Sequence, residues 1–143
     1  MKTLWIRWVG AICFVWAAAP LAAQGQAQVT SPAPVQQPAE SYSAQVATEW
    51  FSLALQLTQQ TPGFSPPVAS RALAYLGLTL YESVVPGMPQ HRSLAGQLNE
   101  LQSLPWAQPD EVLHWPTVAN AALATMTRMM FPNASAENKA RID

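Results

Sequence analysis

A proline inside an α-helix loses a backbone hydrogen bond and clashes with the preceding turn. Here prolines fall at positions 62, 66, 67, 86, 89, 105, 109, 116 and 132. The intervals they leave open, above all Pro67 to Pro86 and Pro116 to Pro132, have the length of ordinary helices and carry apolar residues at helical spacing. Polyproline repeats, collagen periods and paired zinc-finger cysteines are absent, so the prolines act as punctuation between short helices. No alternating strand pattern survives, because Val84-Val85 and Val112-Leu113 are too short and lie beside prolines. The expected class is all-α, a partial bundle of about four helices.

Half of the 143 residues are hydrophobic and only 10% are charged. Part of that apolarity is concentrated at the amino terminus. Lys2 and Arg7 precede an apolar run from Trp8 to Ala19, and Pro20 leads into the small-residue exit Leu21-Ala22-Ala23. This is the pattern of a signal peptide over residues 1–23, with cleavage after Ala23 or Ala27. The apolar run would span about 18 Å as a helix, against about 30 Å for a bilayer core. Export with no stable membrane span after cleavage is therefore expected, to the periplasm or the outside. The competing reading is an uncleaved signal anchor from Leu4 to Ala23. Cys13, the one cysteine, would leave with the signal, so the remainder needs no disulfide and has no thiolate for metal binding or nucleophilic attack. Without Lys2 and Arg7, five basic residues face eight acidic ones, a net charge of −3 with no basic cluster. No nucleic-acid partner is therefore expected, and peripheral binding to an anionic lipid surface has little support.

Residues 24–42 are rich in Gln, Ala, Pro and Ser without helical period and read as a flexible leader. The helical part is expected over 43–143. A first helix should start at Ser41 or Ser43 and end near Gln60, with Trp50, Leu53 and Leu57 on its apolar face and Thr61-Pro62-Gly63 as its stop. A second should start at Ser65 as cap, with Pro66 first in the helix, and run through Leu73, Leu76, Leu80 and Val84 to Pro86-Gly87. Its other stripe, Arg71, Tyr75, Leu78 and Glu82, holds the only charges of that helix, which suits a helix covered by protein on most sides. A short third helix is expected from Ser93 to Leu101. A fourth is expected from Trp115-Pro116 to Phe131-Pro132, with Val118, Ala122, Met126 and Met129 on one row and Leu123 and Met130 beside it. Asn133-Ala-Ser-Ala-Glu137 reads as a capping box opening a further helix. Since a domain does not normally end within the first turns of a helix, the chain reads as the amino-terminal portion of a longer protein.

The segment Thr61-Pro-Gly-Phe-Ser-Pro-Pro-Val-Ala-Ser-Arg-Ala-Leu-Ala-Tyr-Leu-Gly-Leu-Thr-Leu-Tyr-Glu-Ser-Val-Val-Pro-Gly-Met-Pro89 resembles the amino-terminal helices of vanadium-dependent haloperoxidase-like proteins of the type 2 phosphatidic acid phosphatase superfamily. Ser93-Leu-Ala-Gly-Gln-Leu-Asn99 and His114-Trp-Pro-Thr-Val-Ala-Asn-Ala-Ala-Leu-Ala124 resemble the next two helices in the same order. The resemblance implies a protein that hydrolyses phosphoesters, or that uses vanadate and peroxide to oxidise halide. It implies the carboxy-terminal catalytic helices of the same protein as the partner, and vanadate as a cofactor of the full-length protein. A bound oxyanion needs several fixed cations and a group that titrates near neutral pH. The family places these in Lys-x6-Arg-Pro, Pro-Ser-Gly-His and Ser-Arg-x5-His, and none of the three occurs here. No catalytic, cofactor-binding or metal-binding residue is therefore assigned, and the chain alone is expected to be inactive. The alternative is a stand-alone periplasmic helical module that binds a partner through its apolar and Trp faces.

Individual residues fit structural roles. His91 lies in a turn and His114 at a helix start, better read as loop and cap than as ligands. Arg71 and Glu82 stand roughly 16 Å apart along one helix and cannot pair directly. Met126, Met129 and Met130 have core spacing, and Trp50, Trp106 and Trp115 are suited to packing between helices, with stacking on an aromatic substrate as the alternative. Asn133-Ala-Ser135 matches a glycosylation sequon, of consequence only in a eukaryotic secretory pathway.

Overall fold

The computed structural model describes residues 35–105 and 111–143. The expected signal peptide over residues 1–23, the expected leader as far as residue 34, and Trp106, Pro109 and Asp110 lie outside the described residues. Among the described residues there are four α-helices and no strand: α1 (Gln45–Gln60), α2 (Pro66–Val84), α3 (Trp115–Met130) and α4 (Ala136–Ile142), with 3-10 turns at Ala39–Ser41 and Val85–Gly87. The fold is an all-α bundle.

The proline stops hold, and the starts differ in detail. α1 begins just beyond the expected serines. The Ser41 hydroxyl turns back to the Pro38 carbonyl at 2.7 Å, and the Ser43 hydroxyl accepts from the Gln45 N–H at 3.2 Å. The first helical carbonyl is then that of Ala44, which accepts from Thr48 N at 3.0 Å. Ser65 stands at the N-cap of α2 in extended conformation, yet its hydroxyl caps nothing. With Pro66 and Pro67 in the first two helical positions, two of the N–H groups that a cap would serve do not exist.

The helix expected from Ser93 to Leu101 does not form. Residues 95–100 make successive turns instead. Gly96 has φ +76° and Glu100 φ +66°, both left-handed, and the Gly96 N–H returns to the Leu101 carbonyl at 2.6 Å. Glu82 captures the head of this segment: Oε2 accepts from the Ser93 hydroxyl and Oε1 from the Leu94 N–H, both at 2.7 Å. So short an isolated helix is marginal, and with Gly96 in the left-handed region the turns prevail.

Chain direction follows from the contacts. Trp115, at the start of α3, packs on Gly87, just past the end of α2, while Leu76 and Leu123 meet at mid-helix, so α2 and α3 are antiparallel. Trp50 Nε1 donates to Asn120 Oδ1 at 2.8 Å and Leu57 packs with Phe131, so α1 runs parallel to α3. α4 returns along α1: Asn138 Nδ2 donates to Gln60 Oε1 at 2.9 Å and Arg141 Nη2 to Gln56 Oε1 at 2.6 Å. Ser135 caps α4, its hydroxyl accepting from the Asn138 N–H at 3.2 Å. Asn138 thus takes the position at which a capping box carries Glu or Gln, and Glu137 falls one residue short of it.

The core has two parts joined by Trp50. Ala54, Leu76 and Leu123 form one, flanked by Phe51, Leu73, Leu80 and Met126. Leu57, Phe131, Ala134 and Ile142 form the other, flanked by Leu53, Phe64 and Met130. Phe64 stacks on Phe131 with ring centroids 4.5 Å apart and planes 15° from parallel. The core row of α3 is rotated from the expected one. Trp115, Ala119, Leu123, Ala124 and Thr127 are buried, while Met129 is 70% exposed and Val118, Ala122 and Met126 are half-buried. Small side chains face inward because they allow close approach of neighbouring helices, and a row chosen by hydrophobic bulk overlooks them.

Two positions yield predictions. At Gly87 an added Cβ would overlap the indole of Trp115. Gly87→Ala is expected to cost about 1–3 kcal/mol in urea denaturation, and wild-type stability in that variant would contradict the packing. The hydroxyl of fully buried Thr127 has no hydrogen-bond partner. Thr127→Val removes that desolvated group and is expected to stabilise the chain by about 1 kcal/mol; a lowered melting temperature would show that the hydroxyl is in fact satisfied.

Candidate functional site

A helix pair that meets along one face leaves its outer face to solvent or to another protein. On the outer side of α2 and α3 a groove of about 340 Å³ runs between Leu78, Thr79, Glu82 and Ser83 on one wall and Ala122 and Met126 on the other. Leu101, Leu104 and Pro105 form its lip. Its one charged residue, Glu82, is occupied at both oxygens by Ser93 and Leu94, so that carboxylate ties the start of the 93–101 segment to α2. One turn along the same helices stand Tyr75, 46% exposed, and Met129, 70% exposed. The stripe Arg71, Tyr75, Leu78, Glu82 therefore exists as read from the sequence, and within the described residues it is not covered: Arg71 and Tyr75 are exposed, Leu78 and Glu82 half-buried.

The other residues of interest are dispersed. His114 is the N-cap of α3 and its Nδ1 lies 2.8 Å from the Thr117 hydroxyl. His91 is in the loop after α2, 3.4 Å from Glu40 and edge-on to Tyr81. Arg128 pairs with Asp143 at 2.6 Å, and Arg141 serves Asn138 and Gln56. Vanadate or phosphate would require several of these cations and a histidine to converge on one point. Among the described residues His91 follows α2, His114 and Arg128 stand at opposite ends of α3, and Arg141 lies on α4, each with its own partner. The donors among the described residues do not fit the group, and no chemical step is derived through it. Among the described residues, no three of His, Cys, Asp and Glu come together as a metal site. Trp50 and Trp115 pack between helices; Trp106 lies outside the described residues.

The sequence reading missed a strap. Gln36 grips the backbone of Leu113 at two points: its Nε2 donates to the Leu113 carbonyl at 2.9 Å, and its Oε1 accepts from the Leu113 N–H at 2.6 Å. Trp115 Nε1 donates to the Gln37 carbonyl at 2.9 Å. Tyr42 meets the His114 ring edge-on, with centroids 5.2 Å apart. The last part of the expected leader, residues 36–42, is thus fastened across the start of α3. A glutamine in a Pro/Gln-rich run gives no periodic signal, so no local pattern distinguishes Gln36 from Gln37 or from the glutamines before them.

Known protein families, curated proteins and solved structures offer no match to this chain. The strap supplies its own test. A chain beginning at Ser43 is expected to be less stable by about 1–3 kcal/mol than one beginning at Val35, given three lost hydrogen bonds. Equal melting temperatures would show that the strap contributes nothing to the fold.

Proposed function

We propose that this chain is the amino-terminal scaffold of an exported protein of the vanadium haloperoxidase and type 2 phosphatidic acid phosphatase kind. In this reading it carries no catalytic group of its own, and the α2/α3 groove receives apolar helices of the catalytic part. The observation that carries the proposal is the groove, a cleft of about 340 Å³ walled by Leu78, Ala122 and Met126 and bordered by exposed Tyr75 and Met129. Large apolar side chains gathered on one face are a common mark of an interaction surface. The resemblance of Thr61–Pro89, Ser93–Asn99 and His114–Ala124 to the first helices of that family supplies the identity of the occupant.

Three tests bear on this. The gene, read in frame beyond the Asp143 codon, is expected to encode Lys-x6-Arg-Pro, Pro-Ser-Gly-His and Ser-Arg-x5-His; a stop codon in their place favours an independent partner-binding module. In the protein so encoded, Leu78→Asp is expected to lower activity at least tenfold, by about 1.4 kcal/mol or more of lost interaction, because it puts a charge in the groove. The same substitution in the 143-residue chain should leave its far-ultraviolet circular dichroism unchanged. The 143-residue chain, supplied with vanadate, peroxide and bromide, is expected to show no turnover, and genuine turnover would overturn the scaffold reading.

A further inference from the structure

A second concavity opens on a different face of α2, between the strap, the start of α1 and the start of α3, and encloses about 210 Å³. It exists because the facing positions are small: Ala44 and Ala47 from the α1 side oppose Ala119 of α3 across it. Leu80, Val84 and Met88 form the far wall and remain half-buried, so apolar surface converges on the space without closing it. The floor is Trp115, 4% exposed and held by its bond to the Gln37 carbonyl. At the mouth stands the only charged lining residue, Glu40, whose Oε1 lies 3.4 Å from His91 Nδ1. Neither lysine nor arginine lines the space.

We propose that this concavity is a binding site for a small apolar molecule ending in an ammonium group, of the size of one aromatic ring with a short arm. Volume sets the size, since an apolar cavity of about 150 Å³ accepts benzene. The walls favour an apolar ring, because they are largely aliphatic and their side-chain hydroxyls are confined to Tyr42 and Ser43 beside the strap. Charge sets the orientation: the ammonium lies at the mouth beside Glu40, on the oxygen not shared with His91, and the ring rests on Trp115. An anionic ligand is rejected by the same carboxylate. This site does not depend on the docking role of the α2/α3 groove, which opens elsewhere and is lined by other residues.

Benzylamine is the probe, titrated into the full chain at pH 7.5 and followed by the indole N–H resonances. Saturable movement of the Trp115 signal is expected with a dissociation constant of about 1 mM. Toluene should bind about threefold more weakly, the worth of one exposed ion pair, and benzoate not at all. Glu40→Gln, at an exposed side chain, should reduce benzylamine to the affinity of toluene, and Ala47→Leu, which fills the space, should abolish binding of both. An unmoved Trp115 signal, equal affinity for benzoate and benzylamine, or benzylamine affinity unchanged in Glu40→Gln would each overturn the proposal. Since Glu40→Gln leaves the core untouched, it decides the matter even where Ala47→Leu fails to fold.

Discussion

Leu76 and Leu123 meet between two antiparallel helices, and the remaining elements take their places from that contact. Ala54 of α1 joins it from the side, so α1 is registered against both helices at once. Trp50 extends from this first cluster to the second, where Leu57, Phe131 and Ile142 bring in α4. At the opposite end, Trp115 lies on Gly87, which fixes how far α3 can slide along α2. Burial of fully enclosed leucine and phenylalanine side chains is worth about 1.5–3 kcal/mol each. With so few of them, the close approach allowed by buried alanines at 54, 72, 119 and 124 matters more than it would in a larger protein.

Helix identity was legible where proline and glycine enforce it. The ends of α1 and α2, the opening of α3 at Trp115-Pro116 and the cap of α4 at Ser135 follow from rules that act over a few residues. What was not legible depends on partners distant in sequence. The 93–101 segment has the leucine spacing of a helix, and nothing local announces that Glu82 binds its first donors. The face of α3 was misjudged by one step because Thr127 and Ala119 look less apolar than Met129, although they are the residues that fit against a neighbour.

The same division holds for function. No site residue was assigned from the sequence; among the described residues His91 lies beside Glu40 of the strap, His114 at a helix start, and Arg128 beside Asp143. The stripe on α2 was recognised by its period, whereas the groove it borders needed α3 and the 101–105 segment to define it. The second concavity had no signal at all. Ala44 and Ala47 at the start of α1, Ala119 of α3 and Glu40 form no motif until the strap brings Glu40 across to them.

Gln36 and Leu113 are 77 positions apart, and so the strap has a place in time as well as in space. Synthesis proceeds from the amino terminus, and the helices, made of local contacts, form early. Gln36 and Gln37 emerge before any of these helices, but their acceptors and donors at 113 and 115 are made long afterwards. The first residues of the folded body to appear are therefore fastened only after α1 and α2 have been made. Until Trp115 arrives, the concavity it floors does not exist, and the polypeptide ahead of α1 is free to be handled by whatever machinery meets it first.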